Sequence, residues 1–237
     1  DEVSLTSVFD ELSAAFNVPA DLASGNYTLY VVRSGERQLL GAFMLRVIPN
    51  FEIEDKAGAT IKGAVFCAGQ PVAGVVVSDG VEVTVTDQSG FYWLPSQKKH
   101  GYVFMSPPTG YDPVIFNALP EFWTALKLPA AQVEQHDFEL EKAEFTDYTV
   151  LVSADTHLAN RPSINDLGQY DALYMPDVRT TLASYGSKKV YNLVLGDMTW
   201  DAYWYENNFA LVEYKNKIKD FPIPVYHVMG NHDNDPN

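Results

Sequence analysis

Apolar and polar positions fall into two patterns along the chain. Between Tyr148 and Asp233, three short apolar runs each end in polar residues. Thr149–Val152 leads into Ser153-Ala154-Asp155-Thr156-His157. Val190–Leu195 leads into Gly196-Asp197-Met198-Thr199-Trp200-Asp201. Pro224–Met229 leads into Gly230-Asn231-His232-Asp233. Runs of this length, rich in Val and Leu, predict strands buried on both faces of a parallel sheet. Asp197 follows Asp155 by 42 residues and Asn231 follows Asp197 by 34, room for one crossover helix in each gap. Tyr174–Tyr185 is the first such helix, preceded by an irregular loop over 159–169. Asn208–Lys219 is the second, with Leu211, Tyr214 and Ile218 at helical spacing and lysines near its C-terminus. Ligands of open α/β sheets gather at the carboxyl ends of the strands, so the three polar clusters should share one rim.

Ahead of this region the period changes. Residues 59–144 predict strands at Thr60–Cys67, Ala73–Ser78, Val81–Thr86, Gly90–Leu94, Tyr102–Ser106, Phe122–Leu128 and Asp137–Leu140. Short strands separated by Gly, Pro, Asp and Ser predict an antiparallel sandwich, with Asp79-Gly80 as a two-residue hairpin turn. Lys98-Lys99-His100 reads as a solvated loop and His136 as structural. Tyr92, Trp93, Tyr102, Phe104, Tyr111, Phe116, Phe122 and Trp123 serve either as packing or as a platform for sugar. In residues 1–55, Asn26–Val32 and Ala42–Ile48 read as strands around a Ser34-Gly35-Glu36 turn. Val8–Phe16 fits a helix or strand material. The fold class is thus mixed: an N-terminal all-β sandwich region, then an incomplete α/β domain. The divisions fall at 1–55, 56–144 and 145–237.

Asp155-x-His157, Gly196-Asp197 and Gly230-Asn231-His232-Asp233, in this order and each at a strand end, resemble the opening motifs of the calcineurin-like metallophosphoesterases. The resemblance covers about residues 145–237. It implies a hydrolase in which Asp155, His157, Asp197 and Asn231 ligate two divalent metal ions, Mn, Fe or Zn, with Asp197 as the bridge. It implies attack of metal-bound hydroxide on a phosphate mono- or diester. It makes His232 a catalytic residue at the leaving group, with Asp201 as the acid orienting it. In some family members that acid follows the bridging aspartate by three residues; here the gap is four. Aspartates after strands also act as helix N-caps, but that does not account for His157, Asn231 and His232 together. The family completes its site with later histidines, so the chain is expected to be a piece of a longer enzyme, inactive by itself. The competing reading is a non-catalytic β-sandwich binding or scaffolding module joined to an incomplete hydrolase. Gly63-x-Val65…Pro71-Val72-x-Gly74-Val75…Thr86-Asp87-x-x-Gly90-x-Tyr92 resembles carboxypeptidase regulatory-like, transthyretin-shaped sandwiches, which are accessory domains. Ala23-Ser24-Gly25-Asn26-Tyr27 resembles the late half of an IPT/TIG immunoglobulin-like module.

Composition adds bounds rather than chemistry. The formal net charge of -15 is concentrated ahead of the site: residues 145–237 hold 12 acidic and 7 basic residues, leaving -10 to residues 1–144. Such acidity disfavours a nucleic-acid backbone as partner and leaves a phosphate-ester small molecule or phosphorylated conjugate. No apolar run approaches a membrane span. The single cysteine, Cys67, excludes an intrachain disulfide and reads as a buried thiol. The chain starts at Asp1 without an initiator methionine, so an upstream segment is expected to have been removed. Domain style places the protein in the periplasm or outside the cell. Arg161 suits a surface role or a phosphate, and Trp200, Tyr203, Trp204 and Tyr205 either wall a pocket or pack their loop.

Overall fold

A computed structural model describes residues 7–9, 14–16, 25–45, 49–144, 146–206 and 208–234. The chain divides into two compact units, Asp1–Phe51 and Glu52–Asn237.

In the first unit, Gly25–Arg33 and Glu36–Leu45 pair as an antiparallel hairpin. The chain reverses at Ser34 and Gly35, both in the left-handed region (φ 51° and 83°), which matches the twist of two-residue hairpins. Ser7–Phe9 pairs with Ala14–Phe16, also antiparallel, so those residues of the ambiguous 8–16 stretch are strands. Asp10–Ser13, Ala23-Ser24 and Arg46–Ile48, which also carried expectations, lie outside the described residues.

The second unit begins with a β-sandwich. One sheet runs Trp123–Ala125, Tyr102–Ser106, Val76–Ser78 and Val83–Val85 in space. The other is built on Ile61–Cys67, flanked by Phe138–Lys142 and Phe91–Leu94. Between them Ile61, Val65, Val75, Val77, Tyr92, Leu94, Val103, Met105 and Leu140 form a closed core. Pairing is not wholly antiparallel. The chain re-enters the second sheet at Glu134 beside Ile61, the end where that strand begins, so Phe138–Lys142 runs parallel to Ile61–Cys67. The expected two-residue turn at Asp79-Gly80 is a four-residue loop, because Ser78 pairs with Val83. The Asp79 carboxylate is buried and accepts the N–H groups of Val81 and Glu82 and the hydroxyl of Ser96, which holds the longer loop closed. Lys98 is likewise not solvated. Its ammonium is buried 2.5 Å from Glu134 and donates to the carbonyls of Leu128, Pro129 and Gln132. Cys67 ends a strand half-buried rather than fully enclosed.

The remainder is a three-stranded parallel sheet in the order Tyr148–Ser153, Lys189–Val194, Val225–His227. The first crossover is helical from Asp166, earlier than its expected start, because Asn165 caps it by accepting the Gly168 N–H. It passes through a π turn, Tyr170–Tyr174, into the α-helix Met175–Ser184. The second crossover helix is Leu211–Ile218, whose Glu213 accepts the N–H of Ala210 at its start. Tyr170, Met175, Val178, Tyr214 and Ile218 join Val194 and Val225 in one core cluster, so both helices cover the same face. Strands added in sequence order with one hand of crossover produce this one-sided layer. The sheet is therefore not buried on both faces as expected: Val150 and Val152 are 42% and 60% exposed.

The sandwich is docked onto this sheet. Val225 donates its N–H to the carbonyl of Ala118, which joins the helical core cluster. Tyr191 donates to the buried carboxylate of Asp112, Lys189 pairs with it at 2.6 Å, and Phe122 stacks on Tyr226. Burial raises the Tyr191 hydroxyl pKa, and its bond to Asp112 raises it further.

Candidate metal centre

The parallel pairing does not stop where the strands end. Leu195 donates its N–H to Ser153, Asp155 to Gly196, His157 to Asp197 and Leu158 to Met198, so the first two loops zip together beyond the sheet. The third strand joins through Val228 N–H to the Val194 carbonyl. Along this zipper Asp155, His157 and Asp197 all adopt left-handed backbone, with φ of 57°, 42° and 51°. Such conformations cost on the order of 1–3 kcal/mol each in non-glycine residues and cluster at functional sites. Here they bring three side chains from two loops to one place.

Close packing of the loops requires glycine twice. Gly196 has φ 93°, and a Cβ there would collide with the backbone of Gly230. A Cβ on Gly230 would in turn collide with the Asp197 carboxylate and backbone nitrogen. The third loop is then tied down by Asp233, which is 2% exposed. Its carboxylate accepts the N–H groups of Thr199 and Gly230 at 3.0 and 2.9 Å. Trp204 secures Thr199 from the other side through its indole N–H, at 2.9 Å.

The result is a cluster of donor atoms from Asp155, His157 and Asp197, all within 4.8 Å of one another. His157 Nε2 stands 3.7 Å from Asp155 and 3.9 Å from Asp197. Among the described residues, neither carboxylate is paired with a lysine or arginine. Two carboxylates and an imidazole at this separation fit a divalent cation, and the oxygen and nitrogen donor set suits Mn, Fe or Zn. Exposure is graded across the cluster: 66% for the Asp155 side chain, 27% for His157 and 14% for Asp197. The cluster is therefore open on the side of Asp155 and anchored at Asp197.

The remaining expected site residues lie beside it. His232 donates its backbone N–H to Asp197 at 2.9 Å, and its ring centroid is 5.2 Å from that of His157. Its Nδ1 is 3.0 Å from Asp201, and this hydrogen bond holds the His232 pKa above its ordinary value. Asn231 opens the short turn Asn231–Asp233 and is exposed, between the glycine packed on Asp197 and the histidine bonded to it. His227, on the third strand, is turned away to Tyr214 at 3.2 Å, and burial pushes its pKa down to about 4. Arg161 neither faces open solvent nor stands free for a phosphate: Asp166 holds it in a two-pronged pair. Trp200 is half-buried against the histidines, Trp204 packs its loop, and Tyr205 is exposed. Asp233, Thr199 and Gly230 were not singled out as positioning groups from sequence. The fourth residue of Gly230-Asn231-His232-Asp233 was the available signal.

Two family models match the chain. Residues 148–237 match the calcineurin-like phosphoesterase model, and residues 59–143 match the model for the N-terminal part of calcineurin-like phosphoesterases. Together these segments make up most of the chain, and both models describe calcineurin-like phosphoesterases. The β-sandwich is the segment that the N-terminal model matches. No curated protein and no solved structure matches. Among the described residues, no helix is long and apolar enough to cross a membrane.

Proposed function

We propose that the protein hydrolyses a phosphate mono- or diester at a two-metal centre built on Asp155, His157, Asp197 and Asn231. The convergence of three donors from two loops, with His157 Nε2 at 3.7 and 3.9 Å from the two aspartates, carries this reading. Asp197, the most enclosed of the three, would be the central carboxylate of the residues holding the metal. A divalent metal held there would lower the pKa of a water, making hydroxide available to attack phosphorus, and would neutralise charge on the phosphoryl oxygens. The chain's own residues supply orientation and a proton. Asp155 and His157 face the open side, where a phosphate enters. His232, held by Asp201 through a hydrogen bond at Nδ1 that raises its pKa, presents Nε2 to the leaving oxygen as the proton donor.

Three side chains and one amide are few donors for two ions, and one face of the parallel sheet carries exposed valines. Both features support a longer enzyme in which following polypeptide adds histidine ligands and a further layer. Two measurements test the reading. Elemental analysis of the purified chain should find Mn, Fe or Zn, lost on Asp197→Ala. Activity on generic phosphate mono- and diesters should appear in a chain extended past Asn237 and not in this one. If the extended chain shows no turnover under several metals, the hydrolase reading fails.

A further inference from the structure

A metal-binding histidine is ordinarily oriented by a hydrogen bond on the ring nitrogen that faces away from the ion. His157 lacks that support. Its Nε2 faces the two carboxylates, while its Nδ1 is buried and has no hydrogen-bond partner among the described residues. The orientation of this imidazole therefore falls to packing. The neighbour that supplies it is Trp200, whose ring centroid lies 5.2 Å from that of His157, tilted by 49°. Trp200 also meets His232 at 6.0 Å, and the two histidines are 5.2 Å apart, so the three rings form a triangle. The next residue, Asp201, holds His232 by its Nδ1. Trp200 thus packs against both histidines, while Asp201 holds one of them, His232, by a hydrogen bond.

Trp200 is itself clamped. The guanidinium carbon of Arg161 lies 5.1 Å from its ring centroid, within range of a cation–π contact. Arg161 is fixed in turn by Asp166, with Nε and Nη2 each 2.5 Å from a carboxylate oxygen. A planar fork gripped on its edge leaves its face for the indole, an arrangement a lysine does not reproduce. Tyr203 closes the other approach edge-on at 5.4 Å. The first loop, which carries Arg161, is in this way stapled to the second loop, which carries Trp200, immediately outside the donor cluster.

We propose that Trp200, clamped by the Arg161–Asp166 pair, is a positioning residue that fixes the His157 imidazole for the metal and sets its spacing from His232. The proposal rests on the metal-site reading above and adds to it the part that replaces a missing hydrogen bond. Trp200 is not offered as a platform for substrate, since Arg161 and both histidines already surround its ring.

The test is binding of cobalt(II) to the chain itself, followed by calorimetry and by the visible absorption of the bound ion, with circular dichroism to confirm folding. Trp200→Ala should weaken binding roughly 10-fold or more, the usual effect of losing an outer-shell support, and should change the cobalt band as His157 reorients. Trp200→Phe keeps a ring in place and should bind within about 3-fold of the parent, a conservative rescue consistent with packing. Arg161→Gln should weaken binding by a few-fold, and Arg161→Lys should not restore it, on the order of magnitude of one lost cation–π contact. Combined with Trp200→Ala, Arg161→Gln should add nothing, because Arg161 acts through the indole. Asp197→Ala separates the two levels. If Asp197→Ala loses cobalt while Trp200→Ala and Arg161→Gln bind with parent affinity and spectrum, the positioning role is overturned and the metal site stands. If Asp197→Ala binds as the parent does, both fall. Should Trp200→Ala not fold, Arg161→Gln and the Lys variant decide the matter.

Discussion

The sandwich and the parallel-sheet rim handle charge in opposite ways. In the sandwich, Lys98 and Glu134 have side chains 5% and 7% exposed, yet each has a charged partner in the other. Glu134 takes Lys98, His136 and two backbone N–H groups, and Lys98 also binds three carbonyls. Burial pushes the Glu134 carboxyl up, but these hydrogen bonds outweigh it and hold its pKa at about 2. At the rim, two carboxylates and an imidazole crowd together, with no lysine or arginine paired to either carboxylate among the described residues, on three residues in left-handed backbone. A fold buries charge stably when the network is complete. It leaves a like-charged cluster on strained backbone where something else completes it. The contrast is informative because both regions belong to one compact unit.

The comparison breaks most sharply at Asp197. Asp197→Ala should reduce metal affinity by about 100-fold or more, read by calorimetry, because it removes the donor expected to touch both ions. Glu134→Ala should do the reverse, leaving metal affinity unchanged while lowering stability by about 3 kcal/mol, since it strands a buried ammonium. Chemical denaturation measures that loss, and a metal effect as large as the stability effect would erase the distinction. Gly230→Ala drives a methyl group into the Asp197 carboxylate. It should cost roughly 10-fold in metal affinity with little change in the sandwich.

Acid provides the finest cut. Glu134 is depressed from an ordinary 4.5 to about 2, so its contribution is full above pH 4.5 and is lost as pH falls toward 2. His227 is depressed from 6.5 to about 4. The unfolded chain takes up a proton that the folded chain refuses, so stability falls as pH drops from 6.5 toward 4. Denaturation at pH 7, 5 and 3 should therefore show two separate losses. His227→Phe should flatten the upper one, on the order of 1 kcal/mol, and Glu134→Gln the lower one. A single common transition would show that the two regions do not titrate independently.

Much of the rim was legible from the one-dimensional pattern. Three Val- and Leu-rich runs, each followed by metal-suited residues, placed Asp155, His157 and Asp197 together because parallel strands deliver their carboxyl ends to one edge. The pairing of His232 with Asp201 was anticipated on resemblance, and the two are in hydrogen-bonding contact despite the four-residue gap. The misses have physical causes. Lys98 sits in a polar tripeptide and looked solvated, but its partner is 36 residues away. Asp79 holds a longer loop closed through Ser96, which local turn statistics do not see. The hairpin Ile115–Phe116 and Leu119–Pro120 is too short to carry a period, and its Ala118 covers the third strand.

What the amino-acid order determined by itself is local: where periodicity changes, which runs are strands, and which residue types close each strand. It also required glycine at 196 and 230, where no side chain fits. Only the tertiary structure decided that Asp155, His157 and Asp197 would adopt left-handed backbone, since no glycine marks those positions and the zippered loops impose it. Only the tertiary structure seated Trp200 against His157 and Arg161 on Trp200. Those contacts join residues from separate loops, and their geometry exists once the strands beneath them have set the loops side by side.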